Sequence, residues 1–184
     1  MLEIINHRLV EGGKVRPYKR PHSPRKQPFD KTSGPFREGW LEAVIIHYTA
    51  ASKKSSLGTL LGKPRVSCQL IIDESGNIYQ TLDFNERAWH AGTSKWNGKE
   101  FWNNRSIGIE LVNNGPLTLE DGKFKALFRK TIAPENVMCG KHRNDASESL
   151  FWEKYLVAQL DSAARLTRLL TQTYNLDLVL GHDD

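Results

Sequence analysis

Two histidines stand directly after short apolar runs, at positions where side chains can leave the core of a sheet. His47 follows Ala43-Val-Ile-Ile, and His182 follows Leu178-Val-Leu-Gly. Such runs are typical of strands buried on both faces, and sites in α/β sheets assemble at strand ends. Because neutral imidazole is a common metal ligand, the two histidines could supply half of a tetrahedral Zn²⁺ site. The alternative is that each histidine only closes its strand and bonds to backbone.

A carboxylate, Glu110, lies inside the apolar run Ser106–Val112. An ionised carboxylate is costly to bury without a partner. Strand alternation puts Glu110 on the same face as Ser106 and Gly108, whose small side chains leave space beside it. Desolvation would raise the pKa of this carboxyl group, as a general base or acid requires. The alternative is an edge-strand glutamate that faces solvent or pairs with Arg105.

The elements that must position these residues are strands and helices of one α/β domain. The apolar runs and the Glu74-Ser-Gly-Asn turn predict strands at 43–48, 68–73, 77–81, 106–112 and 178–181. An apolar stripe at helical spacing predicts one long helix over 150–174, and residues 113–147 are expected to form loops with short helices. The predicted fold class is α/β, a single domain with a central mixed β-sheet flanked by helices.

The composition fits one soluble globular domain. The chain has 184 residues, 39% of them hydrophobic and 26% charged, and no apolar run approaches the roughly 20 residues that span a bilayer. Residues 1–39 are expected to be a basic, irregular segment that packs on a domain formed by 40–184, with a possible edge strand at 2–10; a partly disordered leader is the alternative. No signal peptide is visible, so synthesis in a cytoplasm is expected.

The net charge and the cysteine content say little about which class of molecule the protein binds. The net charge of +5 favours polyanions in general. A nucleic-acid-binding protein is one such alternative, but the basic 14–26 segment lacks a recognition motif and the aromatic residues of single-strand binders. Cys68 and Cys139 are far apart and in no metal-binding spacing, which favours two reduced thiols. We therefore expect no nucleic-acid partner and no membrane partner, and a monomer.

Five motifs occur in order along the chain: His47-Tyr-Thr-Ala, Val66-Ser-Cys-Gln-Leu-Ile-Ile-Asp, Ala88-Trp-His-Ala-Gly, Asn104-Arg-Ser-Ile-Gly-Ile-Glu-Leu-Val-Asn and Gly181-His-Asp-Asp. Over residues 40–184 they closely resemble the zinc-dependent N-acetylmuramoyl-L-alanine amidases, which include recycling amidases, phage lysozyme-type amidases and peptidoglycan recognition proteins. The resemblance implies hydrolysis of the amide bond between N-acetylmuramic acid and L-alanine in peptidoglycan or muropeptides, with Zn²⁺ as the cofactor. The setting would be a phage lysin after release, or recycling of muropeptides in the cytoplasm.

The resemblance also implies roles for individual residues. His47 and His182 match two zinc ligands, and Glu110 matches the carboxylate that helps to activate water. Four further residues match positions along the substrate groove, where His90 would hydrogen-bond substrate: Gln69, Trp89, His90 and Asn104. Packing for Trp89 and turn formation for Asn104 are the alternatives. Gln69 stands where many relatives have His, which bears on specificity more than on reaction type.

The sequence departs from the family pattern after His182. The third ligand of the family and a lysine that stabilises the oxyanion lie further along, whereas this sequence ends at Asp184. The aspartate matching Asp184 looks structural in the family, and Cys68 is disfavoured as a thiolate ligand because the neighbouring Gln69 matches the groove. The expectation is a truncated chain that binds zinc poorly and is nearly inactive. A non-catalytic peptidoglycan-binding module of the same fold is therefore the alternative function.

Overall fold

A five-stranded mixed sheet forms the centre of the protein. The computed structural model describes residues 2–11, 14–15, 32–62, 66–128, 130–142, 144 and 150–184. The sheet has the order β15-β4-β9-β5-β6, and its strands are β4 (Ala43–Tyr48), β5 (Leu70–Ile72), β6 (Ile78–Gln80), β9 (Ser106–Leu111) and β15 (Leu178–Gly181). All neighbouring pairs are parallel except β5 with β6, which form the predicted hairpin. The five predicted strands and the predicted α/β class are confirmed.

Helix α2 (Val157–Tyr174) covers one face of this sheet. Ala163, Leu166 and Leu170 lie on one stripe of the helix and are buried against Ile107 and Ile109 of β9 and their neighbours. The helix ends at Asn175, whose left-handed backbone (φ 51°) suits an asparagine C-cap. A shorter helix, α1 (Lys53–Gly62), follows β4.

The predicted start of the long helix is wrong. Residues Leu150–Glu153 form strand β14, and the helix begins only at Val157. The strand pairs with a neighbour on each side, so its backbone bonds go to the ladder rather than to a helix. Leu156, which the apolar stripe placed inside the helix, has extended backbone and is exposed.

The described residues between 116 and 153 form a second five-stranded sheet, whereas 113–147 were expected to form loops with short helices and 150–153 to be helical. Its order is β12-β11-β10-β14-β13 and all its pairs are antiparallel. The strands are β10 (Pro116–Glu120), β11 (Lys123–Lys125), β12 (Thr131–Ile132), β13 (Val137–Gly140) and β14 (Leu150–Glu153). Among the residues of this region whose burial is described, only Leu117, Ala126 and Ile132 are buried, so the apolar alternation that reveals a strand is weak.

The first residues form a separate small sheet instead of an edge strand of the central one. It consists of β1 (Leu2–Ile5), β2 (Arg8–Glu11) and β3 (Lys14–Val15). Leu9 is buried in the main core, and its N–H donates to Oε1 of Gln80 at 2.7 Å. The predicted irregular basic segment falls mostly on residues outside the described ranges.

One more hairpin joins β7 (Lys95–Trp96) to β8 (Lys99–Glu100). Within the described part of the chain, no helix combines the length and the apolar character needed to cross a membrane.

Candidate active site

His47, Glu110 and His182, the three residues predicted for the metal and the proton transfer, meet at one end of the central sheet. In the parallel pairing of β4 with β9, His47 lies directly opposite Glu110. Strand β15 lies along the other side of β4, and the N–H of His182 donates to the carbonyl of Ile46 at 3.0 Å. The ring centroids of His47 and His182 are 4.7 Å apart. Strand pairing therefore brings together side chains that are 135 positions apart at most.

The environment of His47 keeps its imidazole neutral. The residue is only 6% exposed. Burial, together with the neighbouring rings of His90 and His182, lowers the pKa of His47 to about 2. A neutral ring carries one nitrogen lone pair, which is the form that binds a metal ion.

Glu110 is held as a carboxyl group close to its titration midpoint at neutral pH. Desolvation raises the pKa of Glu110 to about 7. None of the hydrogen bonds between described residues involves its carboxylate, so no charged partner offsets the burial. A carboxylate with this pKa and no protein partner is suited to exchange a proton with a bound reactant.

Two phenols lie near this part of the site: Tyr155 interacts with Glu110 and also with Tyr48. Burial and the charge of Asp183 raise the pKa of Tyr48. Burial, with smaller effects from Tyr48, Asp183 and Glu110, raises the pKa of Tyr155 to about 12. Both phenols therefore stay protonated and can donate hydrogen bonds. Tyr155 stands in the short connection between β14 and α2, and no sequence motif marks it.

His90 lies beneath His47 rather than at the edge of the site. Nδ1 of His90 is 2.9 Å from Nε2 of His47, and Nε2 of His90 is 3.3 Å from the carbonyl oxygen of Ser106. The ring occupies the space left by Gly108, where an added Cβ would lie 2.6 Å from Cγ of His90. Both ring nitrogens thus have protein partners, and the predicted hydrogen bond to substrate stays a prediction.

Asn103 fixes the backbone around His90, and sequence reasoning missed it. Its Oδ1 accepts hydrogen bonds from the N–H groups of His90 (2.9 Å) and Ala91 (2.8 Å). The neighbouring asparagine, Asn104, had matched the family motif. A pair of adjacent asparagines gives no signal of which one faces this turn.

Gln69 and Trp89 lie next to the strands that carry the site. Gln69 is fully buried; its Oε1 accepts from the N–H of Gly108 at 2.7 Å and its Nε2 donates to the carbonyl of Glu86 at 2.7 Å. The N–H of Trp89 donates to Oγ of Ser67 at 2.9 Å, and its side chain is partly buried. Their predicted contacts with substrate stay predictions.

Asn104 is not brought to the histidines by any contact between described residues. Its Oδ1 accepts from Nη1 of Arg87 at 2.9 Å. It lines a separate cavity of about 440 Å³, next to the start of β9, with four cationic and several other side chains: Arg37, Trp40, Arg87, Lys99, Glu100, Phe101 and Arg105. Glu110 stands near the other end of the same strand.

A small cavity of about 50 Å³ opens beside His182. Trp96 and Trp102 line it, with their ring centroids 5.7 Å apart in an edge-to-face arrangement. Asp184, which also lines it, accepts a hydrogen bond from the N–H of Gly181 at 2.7 Å. This contact is consistent with the structural role expected for Asp184.

The cysteines and the acidic groups do not complete a metal site. Neither Cys68, which is buried, nor Cys139, which is exposed, forms a disulfide. Sγ of Cys68 donates to the carbonyl of Leu70 at 3.2 Å and packs in a cluster without histidines. Among the residues that the structure describes, no group of three or more His, Cys, Asp or Glu could hold a metal ion.

Comparison with known proteins places the chain in a family. A family model described as N-acetylmuramoyl-L-alanine amidase matches residues 38–184. The chain belongs to this family, as the motifs predicted.

Individual relatives agree with that assignment. The chain is 33% identical over 106 residues to the 1,6-anhydro-N-acetylmuramyl-L-alanine amidase AmpD of Haemophilus influenzae, a match that covers 50% of this chain and 58% of AmpD. It is 41% identical over 142 residues to the N-acetylmuramoyl-L-alanine amidase AmiD of Escherichia coli, covering 62% of this chain and 51% of AmiD. The chain thus spans a little over half the length of the curated relatives it matches.

A solved structure shares the architecture. AmiD from E. coli, in complex with the substrate anhydro-N-acetylmuramic acid-L-Ala-D-γ-Glu-L-Lys, superimposes with a TM-score of 0.58 and 25% identity. The match covers 87% of this chain and 52% of that one. The likeness confirms the α/β amidase fold.

Proposed function

We propose that the chain hydrolyses the amide bond between N-acetylmuramic acid and L-alanine with the help of a bound Zn²⁺. One observation carries the proposal: His47 and Glu110 stand opposite each other on paired strands, with the ring of His182 4.7 Å from that of His47. Two imidazoles and one carboxylate from three strand ends are the elements of a metal-assisted hydrolase. Family membership supports the same reaction.

The two histidines are donors of the kind that zinc binds, although the described residues form no complete group of three ligands. His47 is neutral and buried, and His182 adjoins it from the next strand. These two residues would hold the metal; the described residues do not supply a third protein ligand in the same group. When bound, zinc supplies a Lewis acid that polarises a carbonyl and lowers the pKa of water.

Glu110 is proposed as the general base. Its carboxylate would accept a proton from the attacking water, and the resulting acid would deliver that proton to the departing alanine nitrogen. The pKa near 7 allows both transfers at neutral pH, because ionised and protonated forms are then close in free energy. Tyr155, a protonated neighbour of Glu110, and Tyr48, which interacts with Tyr155, would donate hydrogen bonds within the site.

The proposed substrates are muropeptides with a lactyl–L-alanine amide. AmpD is named for a 1,6-anhydro sugar, and the substrate in the AmiD complex carries an anhydro sugar too. We extend that substrate class to this chain. Contacts from Gln69, Trp89 and Asn104, the monomeric state, and the setting as a lysin or as a recycling enzyme are further proposals from the sequence.

A non-catalytic peptidoglycan-binding module is the second candidate. It is favoured by the lack of a third ligating side chain near His47 and His182 among the described residues. Glu110 argues against it, because binding alone gives no reason to bury an unpaired carboxylate at a free-energy cost.

The decisive experiment is incubation of the zinc-supplemented chain with anhydro-muropeptides and, separately, with intact peptidoglycan, followed by mass spectrometry. Slow release of peptides with a free N-terminal L-alanine is expected, because two histidines alone would bind zinc weakly, and a chelator should abolish the release. Binding without release, at full zinc occupancy, would establish the binding module instead.

A further inference from the structure

We propose that His90 is a positioning residue, which fixes His47 in the tautomer that carries its proton on Nε2 and so leaves Nδ1 for the metal. This inference rests on the proposed function, since that function assigns His47 to the metal. Its evidence is a chain of hydrogen bonds with one possible direction.

The direction of the chain is set at Ser106. Nε2 of His90 is 3.3 Å from the carbonyl oxygen of Ser106, which can only accept a hydrogen bond. The hydroxyl of Ser106 donates to the carbonyl of Trp102 at 2.6 Å, so toward Nε2 of His90, 3.5 Å away, its oxygen is also an acceptor. The proton of His90 therefore resides on Nε2.

The next link follows from the count of protons on a neutral imidazole. With its proton on Nε2, the neutral ring of His90 presents a lone pair at Nδ1. This atom is 2.9 Å from Nε2 of His47, so Nε2 of His47 must be the donor. The neutral ring of His47 then has its lone pair on Nδ1. This is the nitrogen of His47 that is left for the metal.

The surroundings of His90 are built to hold the ring in this position. The ring lies against Gly108 of β9, where a side chain would collide with it, because a Cβ there would stand 2.6 Å from Cγ of His90. Oδ1 of Asn103 accepts hydrogen bonds from the N–H groups of His90 and Ala91, which lie on either side of the Cα of His90. The ring is thus located by its own backbone and by β9 independently of the metal.

The hydrogen bond from His47 to His90 should strengthen metal binding by His47. Metal-ligating histidines usually donate their other ring N–H to an acceptor, and loss of such an acceptor typically costs about 10- to 100-fold in metal affinity. Here the acceptor is an imidazole, itself anchored on a backbone carbonyl. Without it, His47 would be free to populate the tautomer with the proton on Nδ1.

The zinc affinity of three proteins tests the proposal: the unaltered chain, His90→Phe and His90→Asn, each measured by competition with a chromophoric chelator. Phenylalanine keeps a planar ring but removes the acceptor, and about 10- to 100-fold weaker binding is expected. Asparagine places Oδ1 near the position of Nδ1 and should recover most of that loss. Equal affinity of the phenylalanine variant, or no recovery by asparagine in a folded protein, would overturn the role.

The tautomer itself gives a second, metal-free measurement. Nitrogen-15 chemical shifts of His47 in the zinc-free chain should report a proton on Nε2, and in folded His90→Phe a mixture. A proton on Nδ1 in the unaltered chain would overturn the inference. Because this readout needs neither zinc nor activity, it separates failure of the tautomer assignment from failure of the proposed hydrolase.

Discussion

His47 and Glu110 are register partners on adjacent parallel strands, so an imidazole and a carboxylate emerge side by side from the same face of the sheet. The opposite face of β4 and β9 packs under helix α2 through Val44, Ile107 and Ile109. A one-residue slip of β9 would turn Glu110 toward that helix and an isoleucine toward the site. The burial of one face therefore fixes the geometry of the other.

Replacing Glu110 by glutamine should remove proton transfer while it preserves shape and metal binding. We expect kcat/KM for muropeptide cleavage to fall by about 100- to 10,000-fold. Zinc affinity should stay unchanged, because the carboxylate is not one of the proposed ligands. The measurement is peptide release by mass spectrometry at matched zinc occupancy.

The control for that variant is Glu120→Gln, which alters an exposed carboxylate on β10. It should cleave like the unaltered chain. A Glu110→Gln protein with undiminished kcat/KM would remove Glu110 from the mechanism.

His182→Asn should abolish zinc binding without unfolding the protein, because His182 is exposed and contributes no core packing. Zinc affinity, measured by competition with a chromophoric chelator, is expected to fall below detection in this variant but not in the unaltered chain. The matched control is His7→Asn: His7 lies in the β1–β2 turn with φ 64°, a conformation that asparagine tolerates. Retention of zinc by His182→Asn would exclude His182 as a ligand.

The buried carboxyl group of Glu110 should lower the stability of the zinc-free protein in a pH-dependent way. Folding raises the pKa of Glu110 from 4.5 to about 7, so the folded state binds this proton more tightly than the unfolded chain does. The free energy of unfolding should therefore fall as pH rises through this interval. Each pKa unit corresponds to about 1.4 kcal/mol, and partial exposure reduces the expected total to about 2 kcal/mol.

Denaturant unfolding of Glu110→Gln and the unaltered chain at pH 4 and pH 8, with chelator present, measures this cost. Glutamine does not titrate, so the variant should gain about 2 kcal/mol relative to the parent between the two pH values. An offset that is the same at both pH values would mean that the carboxyl group titrates normally.

The strands of the site could be predicted from the sequence because a strand that is buried on both faces is a continuous run of apolar residues. Strands β4 and β15 have the predicted bounds, and the histidines follow from where each run ends. Glu110 was predictable because a carboxylate interrupts an apolar strand. These signals are local, and the sheet that joins them is the usual solution for buried parallel strands.

Long-range pairing explains what the sequence could not reveal. Strands β10 to β14 are short and largely exposed, so their apolar alternation is weak and their pairing partners are distant. The contacts of single side chains are likewise not visible in the local sequence. Nothing local distinguishes Asn103, which holds the backbone of His90, from Asn104, which bonds Arg87.

Gly108→Ala tests whether the ring of His90 needs the space beneath it. The added Cβ would meet Cγ of His90 at 2.6 Å, closer than van der Waals contact permits, so the ring must move. Overpacking of this kind costs about 1–3 kcal/mol of stability. Displacement of the acceptor from His47 should also weaken zinc binding about 10-fold.

Gly58→Ala is the matched control, since no atom lies within 4 Å of its added Cβ on helix α1. Alanine there should raise stability by up to about 1 kcal/mol. Both variants are compared by chelator competition and thermal unfolding, and unchanged zinc affinity in folded Gly108→Ala would show that the position of His90 does not govern the metal site.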